Sequence, residues 1–127
     1  MGSVIKIVVP GKFGTLNEFI DANRRGRGNW NKGNDMKRND QRVVYHYLPR
    51  GVRFERRVFL EYHFFEPSAR RDKDNVSGYF HKIFQDALVQ KGIIRNDGWK
   101  DIEGWTDRFD IDRKNPRIEI TIREVEQ

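Results

Sequence analysis

The sequence predicts a single α+β domain over residues 1–127, a small mixed sheet packed by helices in the order β-α-α-β-α-β-β. Three observations carry that reading. Strand-like runs, β-branched or alternating, stand at 4–9, 54–65 and 118–122. The longest of them is followed by an apolar stripe at helical spacing, Val76, Phe80, Ile83, Phe84, Ala87 and Leu88. A length of 127 residues suits one domain, and no internal repeat divides it.

The elements follow in order. Residues 4–9 are short and β-branched, and Pro10-Gly11 stops them. Thr15-Leu16-Asn17-Glu18 has the pattern of a capping box, in which Thr15 caps a helix and Glu18 reaches back. Leu16, Phe19 and Ile20 then share one face of a helix that fails by Arg24. Residues 24–34 hold three glycines, four cations and Trp30, too Gly-rich for a stable helix, and read as a mobile basic loop. A second helix is expected from about Asp35 to Leu48, with Met36, Val43, Val44, Tyr47 and Leu48 partly on one face. Residues 54–65 read as a long central strand, with Phe54, Val58, Leu60, Tyr62 and Phe64 on one side. Helix 75–91 has Asp74 as its N-cap and Gly92 just past its end. Strands at 102–109 and 118–122 close the pattern as a hairpin whose turn spans 110–116.

Composition excludes several classes of function. There is no cysteine, which removes thiolate zinc sites, iron–sulfur clusters, cysteine nucleophiles and disulfides together, and is compatible with a reducing cytoplasm. No run approaches the roughly 18 apolar residues of a spanning helix, and the start has no signal-peptide pattern. Net charge is +6, unevenly spread: residues 1–71 carry +8 and residues 72–127 carry −2. A basic half suits a polyanion, most often nucleic acid. Acidic residues in such a protein would repel phosphates, a conflict that a divalent metal between them removes.

The segment richest in chemistry is Arg70-Arg71-Asp72-Lys73-Asp74-Asn75. Two carboxylates two residues apart, where a strand gives way to a helix, can point at one hard cation such as Mg²⁺. Helix capping explains Asp74 equally well. Arg70 and Arg71, just before, could clamp phosphates that the metal polarises. Lys82 and Asp86 stand at i, i+4, either a surface ion pair or a phosphate contact with its partner, and Asp97 lies in a turn-like Asn-Asp-Gly. His46, His63 and His81 share no ligand spacing and read as structural or surface residues. Residues 10–15 have the wrong spacing for a Walker A loop. Trp30 could stack on a base, whereas Trp99 and Trp105 suit the edge of the core or an interface.

In combination these residues resemble a known family. Arg71-Asp72-Lys73-Asp74-Asn75, a helix with Lys82 and Asp86-Ala87-Leu88, and Gly92-Ile93-Ile94-Arg95-Asn96-Asp97 look like the RusA family of Holliday junction resolvases, in its phage and prophage variety. The likeness is strongest over 66–100 and extends weakly to residues 9–18 and 118–122. It implies a homodimeric, Mg²⁺-dependent crossover junction endodeoxyribonuclease that resolves four-way DNA junctions by paired symmetric nicks in recombination and repair. The setting it implies is the cytoplasm of a bacterium or a phage-infected host. Catalytic and metal-binding roles carry over to Asp72, Asp74 and Asp97, and the functional lysine, matched through Asp-Ala-Leu, to Lys82. Counting forward from Asp74 instead puts Gly78 at the lysine position, and Asn96-Asp97 stands where the family has adjacent aspartates. DNA contacts are expected from basic residues between 24 and 57, with Arg24, Arg25, Arg27, Trp30 and Lys32 foremost, and from Arg70 and Arg71. The alternative is a non-catalytic basic nucleic-acid-binding protein, and beyond that a structural or interaction module with an incidental Asp-x-Asp.

Geometry bears on the dimer. A straight helix over 75–91 spans roughly 25 Å. From Gly92 the chain can return at most about 18 Å by Asp97. Asp97 then falls at least about 7 Å short of Asp74 in its own chain. Unless the helix is shorter or bent, Asp97 completes the site of a second copy.

Overall fold

The computed structural model describes residues 3–25 and 32–125. The elements are β1 (Val4–Pro10), α1 (Leu16–Arg25), α2 (Lys32–Tyr47), β2 (Val58–Glu66), α3 (Lys73–Lys91), β3 (Ile102–Ile111) and β4 (Arg117–Glu124). Their order is the expected one. The strands form one mixed sheet, β1-β4-β2-β3, in which β4 is antiparallel to both neighbours and β3 is parallel to β2.

The expected hairpin of the last two strands is therefore corrected. β4 crosses the end of β2 and inserts between β2 and β1, while β3 takes the outer edge. Hydrogen bonds at both ends of the connection hold this crossing: Asp112 N–H donates to Glu66 C=O at 2.8 Å, and Gly11 N–H to Pro116 C=O at 2.8 Å. Parallel strands need a crossover, and α3 supplies it, returning the chain so that Ile102 registers with Val58.

One face of the sheet makes the core. Leu60, Tyr62 and Phe64 of β2 register with Ile122, Ile120 and Ile118 of β4, and all six are buried. Ile7 and Val9 extend the layer through β1. Onto it α3 lowers Val76, Phe80, Ile83, Phe84, Ala87 and Leu88, every one buried. Phe80 and Phe84 meet Tyr62 edge-on, with centroids 6.1 and 5.7 Å away. The opposite face is polar and aromatic: Arg117 stacks over Phe65 at 3.7 Å and Arg123 over Phe59 at 5.2 Å.

Local rules explain most boundaries. The Thr15 cap forms as read, Glu18 N–H donating to Thr15 Oγ1 at 3.2 Å, while the Glu18 side chain reaches back to the Thr15 hydroxyl rather than to its backbone N–H, Thr15 Oγ1–H donating to Glu18 Oε1 at 3.3 Å. Thr15→Ala is expected to cost about 1 kcal/mol, seen as a lower urea midpoint with an unchanged slope. Gly92 ends α3 in the left-handed region, φ 79°, where its N–H reaches the last carbonyls of the helix.

Other expectations change. α2 starts at Lys32, so the tail of the presumed basic loop is helical. Packing of Val44 and Leu48 in the core, and the hydrogen bond from Tyr79 Oη to Asp40 at 2.8 Å, outweigh the cost of Gly33. β2 begins at Val58; Phe54 stays buried ahead of it, its N–H donating to Ile93 C=O at 2.8 Å. On α1 the presumed apolar face is turned partly outward, leaving Leu16 and Ile20 exposed. Val43 and Tyr47 of α2 are exposed as well.

Candidate active site

The loop 67–72 leaves the carboxyl end of β2 and delivers Asp72 and Asp74 to the start of α3. Asp72, not Asp74, is the N-cap; its C=O accepts from Val76 N–H at 3.1 Å, and its side chain makes no capping hydrogen bond. Asp74 sits in the first turn, with Oδ1 accepting from Asn75 N–H at 3.0 Å. Both residues are exposed at the positive end of the helix dipole. A cleft of about 440 Å³ opens beside them, walled by Glu66, Arg71, Lys73, Phe109 and Asp110. It lies at the carboxyl ends of the parallel pair β2 and β3, the position where open α/β sheets bind ligands.

Lys82, Asp86 and Asp97 form a second group farther along α3. Lys82 Nζ lies 3.3 Å from Asp86 Oδ1 and 3.7 Å from Asp97 Oδ2, and Lys37 of α2 reaches Asp86 Oδ2 at 3.4 Å. Asp86 first, and Asp97 after it, raise the Lys82 pKa above the usual lysine value. The ammonium therefore persists at neutral pH, which suits stabilising an anion. The stability this pairing adds is complete below the ordinary lysine pKa and is lost as pH rises through the raised one.

The two groups do not meet within one chain. Asp74 and Lys82 are about 12 Å apart along the helix axis, and among the described residues no three His, Asp or Glu side chains are placed to hold one metal. The three-aspartate centre drawn from the resemblance is thus not assembled by a single copy. What one copy offers is Asp72 and Asp74, a pair of exposed hard-oxygen donors with room for water. That donor set fits Mg²⁺, which is usually held by one or two carboxylates, its remaining positions filled by water and phosphate.

The expected phosphate clamps separate sharply. Arg71 is committed inside the protein: Nε and Nη2 donate to the two Glu66 carboxylate oxygens at 2.8 and 3.0 Å, and Nη1 donates to Phe13 C=O. This fork ties α3's entry to β2 and to the loop before α1, so Arg71 is corrected from DNA contact to structural brace. Arg71→Ala is expected to cost about 2–3 kcal/mol by stranding Glu66, a loss visible in chemical denaturation. Arg70 is exposed, as is Arg24 in the last turn of α1. Arg27 and Trp30 lie outside the described residues, and so do the side chains of Arg25 and Lys32.

Two histidines prove structural. His81 Nε2 sits 2.7 Å from Asp107 Oδ1, tying α3 to β3, and His63 Nε2 sits 2.6 Å from Asp110 Oδ2. Trp105 packs its ring against His81 at 5.2 Å, whereas Trp99 is 95% exposed and not at the core edge. Sequence reasoning missed Lys37 altogether; nothing local in α2 marks it, because its partner Asp86 is on another helix.

No family model matches the sequence, and no curated protein matches it.

Proposed function

We propose that the chain is a RusA-like, Mg²⁺-dependent endodeoxyribonuclease that resolves four-way DNA junctions as a homodimer. The observation that carries this reading is the contact between Lys82 and Asp97. Each is a site residue only through the resemblance, and they lie 3.7 Å apart. Asp72 and Asp74, exposed beside a cleft, supply the remaining donors.

Asp72 and Asp74 would hold the cation, which when bound supplies an acidified water and offsets charge on the phosphate. Lys82 stays protonated and stabilises the departing oxygen or the phosphate it leaves. Arg70 and Arg24 attract the backbone, giving an affinity that falls steeply with salt. Two copies related by two-fold symmetry match a junction that needs two symmetric nicks.

The test is a labelled four-way junction incubated with the protein, with and without Mg²⁺, beside duplex of the same sequence. Paired nicks in the junction that need Mg²⁺ are expected. Tight binding with no cutting under any divalent ion would instead favour the second reading, a non-catalytic basic nucleic-acid binder, which the +8 charge of residues 1–71 supports.

A further inference from the structure

Trp99 and Trp105 take no part in the proposed chemistry, and both line one cleft. The cleft, about 450 Å³, opens between α3 and β3, the outer strand of the sheet. Asp97 and Gly98 stand in its wall beside the indoles. Trp99 is 95% exposed and Trp105 is 47% exposed. Tryptophan is highly buried on average, so an indole left this bare forgoes a large burial gain.

Both rings stand on braced backbone. The turn that carries Trp99 is closed by Asp101 N–H and Ile102 N–H, which donate to Gly98 C=O at 3.1 and 3.0 Å. Asp101 C=O in turn accepts from Val58 N–H at 3.0 Å, and its carboxylate lies 3.4 Å from Arg95. Trp105 rests against His81, their centroids 5.2 Å apart, and His81 is held by Asp107 at 2.7 Å. Neighbours fixed before anything binds lower the ordering cost of binding.

The lining selects the occupant. Indoles stack on flat rings, and every nucleobase presents a π face. Gln85 adds an amide, a group that hydrogen-bonds base edges, set in place as Nε2 donates to Tyr62 Oη at 3.4 Å. The two acidic side chains of the lining are both paired, Asp97 with Lys82 at 3.7 Å and Glu103 with Arg57 at 2.6 Å, so neither opposes a polyanion as a bare charge. Through Asp97 the cleft is also continuous with Lys82, where the proposed reaction requires a phosphate. A continuous duplex keeps its bases stacked, whereas an unpaired base leaves the stack at little cost. We infer that Trp99 and Trp105 receive an unpaired nucleobase at the branch point, so that this cleft separates branched from continuous DNA. The inference rests on the proposed binding of branched DNA and does not need the cutting.

The test is binding of a four-way junction that carries a fluorescent adenine analogue at its branch point, in EDTA so that metal-dependent cutting is off. The parent protein is expected to quench the probe as the base stacks on an indole. Trp99→Ala, an exposed change that keeps the native circular dichroism spectrum, should lose the quenching and bind the junction about tenfold more weakly. Its affinity for duplex, held through phosphates, should change less than about twofold. Trp99→Tyr should retain most of the junction affinity, and Trp99→Leu, apolar but not aromatic, should not. Unchanged quenching and affinity in folded Trp99→Ala overturn the stacking cleft while leaving the junction reading in place. Full affinity in Trp99→Leu also overturns it and assigns the exposed indole to a protein contact. Equal losses on junction and duplex overturn the discrimination. A parent that binds no branched DNA removes the nucleic-acid reading itself, and the cleft's role with it. Loss of quenching in Trp99→Ala, in a protein that never cuts with Mg²⁺, upholds the cleft and removes only the nuclease.

Discussion

An Asp72→Asn protein is expected to nick four-way junctions at least about a hundredfold more slowly than the parent, yet to bind them as tightly or more so. The side chain is exposed and makes no capping hydrogen bond, and asparagine is itself a good N-cap, so the fold should not change. The substitution removes one negative charge from the surface proposed to face phosphate. Single-turnover cutting and mobility-shift binding at fixed salt separate the two effects. Equal loss of both in a folded variant would exclude Asp72 from the chemistry. Mixing Asp72→Asn with Asp97→Asn adds a sharper measurement. If each site draws on both chains, a mixed dimer keeps one intact site and regains single nicks; sites built within one chain regain nothing.

Phe64→Ala is expected to have the largest effect on stability, about 3–5 kcal/mol, against a typical total of about 5–15 kcal/mol. Phe64 is fully buried at the centre of the sheet, stacked on Phe109 at 5.0 Å and edge-on to Phe80 at 5.8 Å. Removing the ring opens a cavity between β2, β3 and α3 that rigid neighbours cannot fill. Phe59→Ala, on the same strand but facing the half-open side, should cost far less. Urea denaturation of the two variants measures the difference, and similar losses would mean that both faces of the sheet are equally packed.

These contrasts show which features were legible in the sequence. The faces of β2 and β4 were, because a period of two puts Leu60, Tyr62 and Phe64 on one side whichever strand lies next door. The neighbours were not: alternation says nothing about pairing, and adjacency in sequence suggested a hairpin where β4 pairs instead with β1 and β2. The stripe of α3 and the Thr15 cap were readable because both are local. The start of α2 was hidden by Gly33, whose poor propensity is overridden by packing several turns away. Arg71 was misread for a similar reason. An arginine next to Asp-x-Asp looks available for phosphate until Glu66 and the Phe13 carbonyl are found around it. The spacing argument did anticipate that Asp97 falls short of Asp74 in its own chain, and Asp97 stands instead beside Lys82.

The placement of β4 between β1 and β2 has a consequence for biosynthesis. A nascent polypeptide that has emerged only as far as β3 has made every residue assigned here to chemistry, yet β1 has no partner and β2 lacks one neighbour. The sheet joins only when residues 117–124 arrive, and that late, long-range pairing is the slow kind.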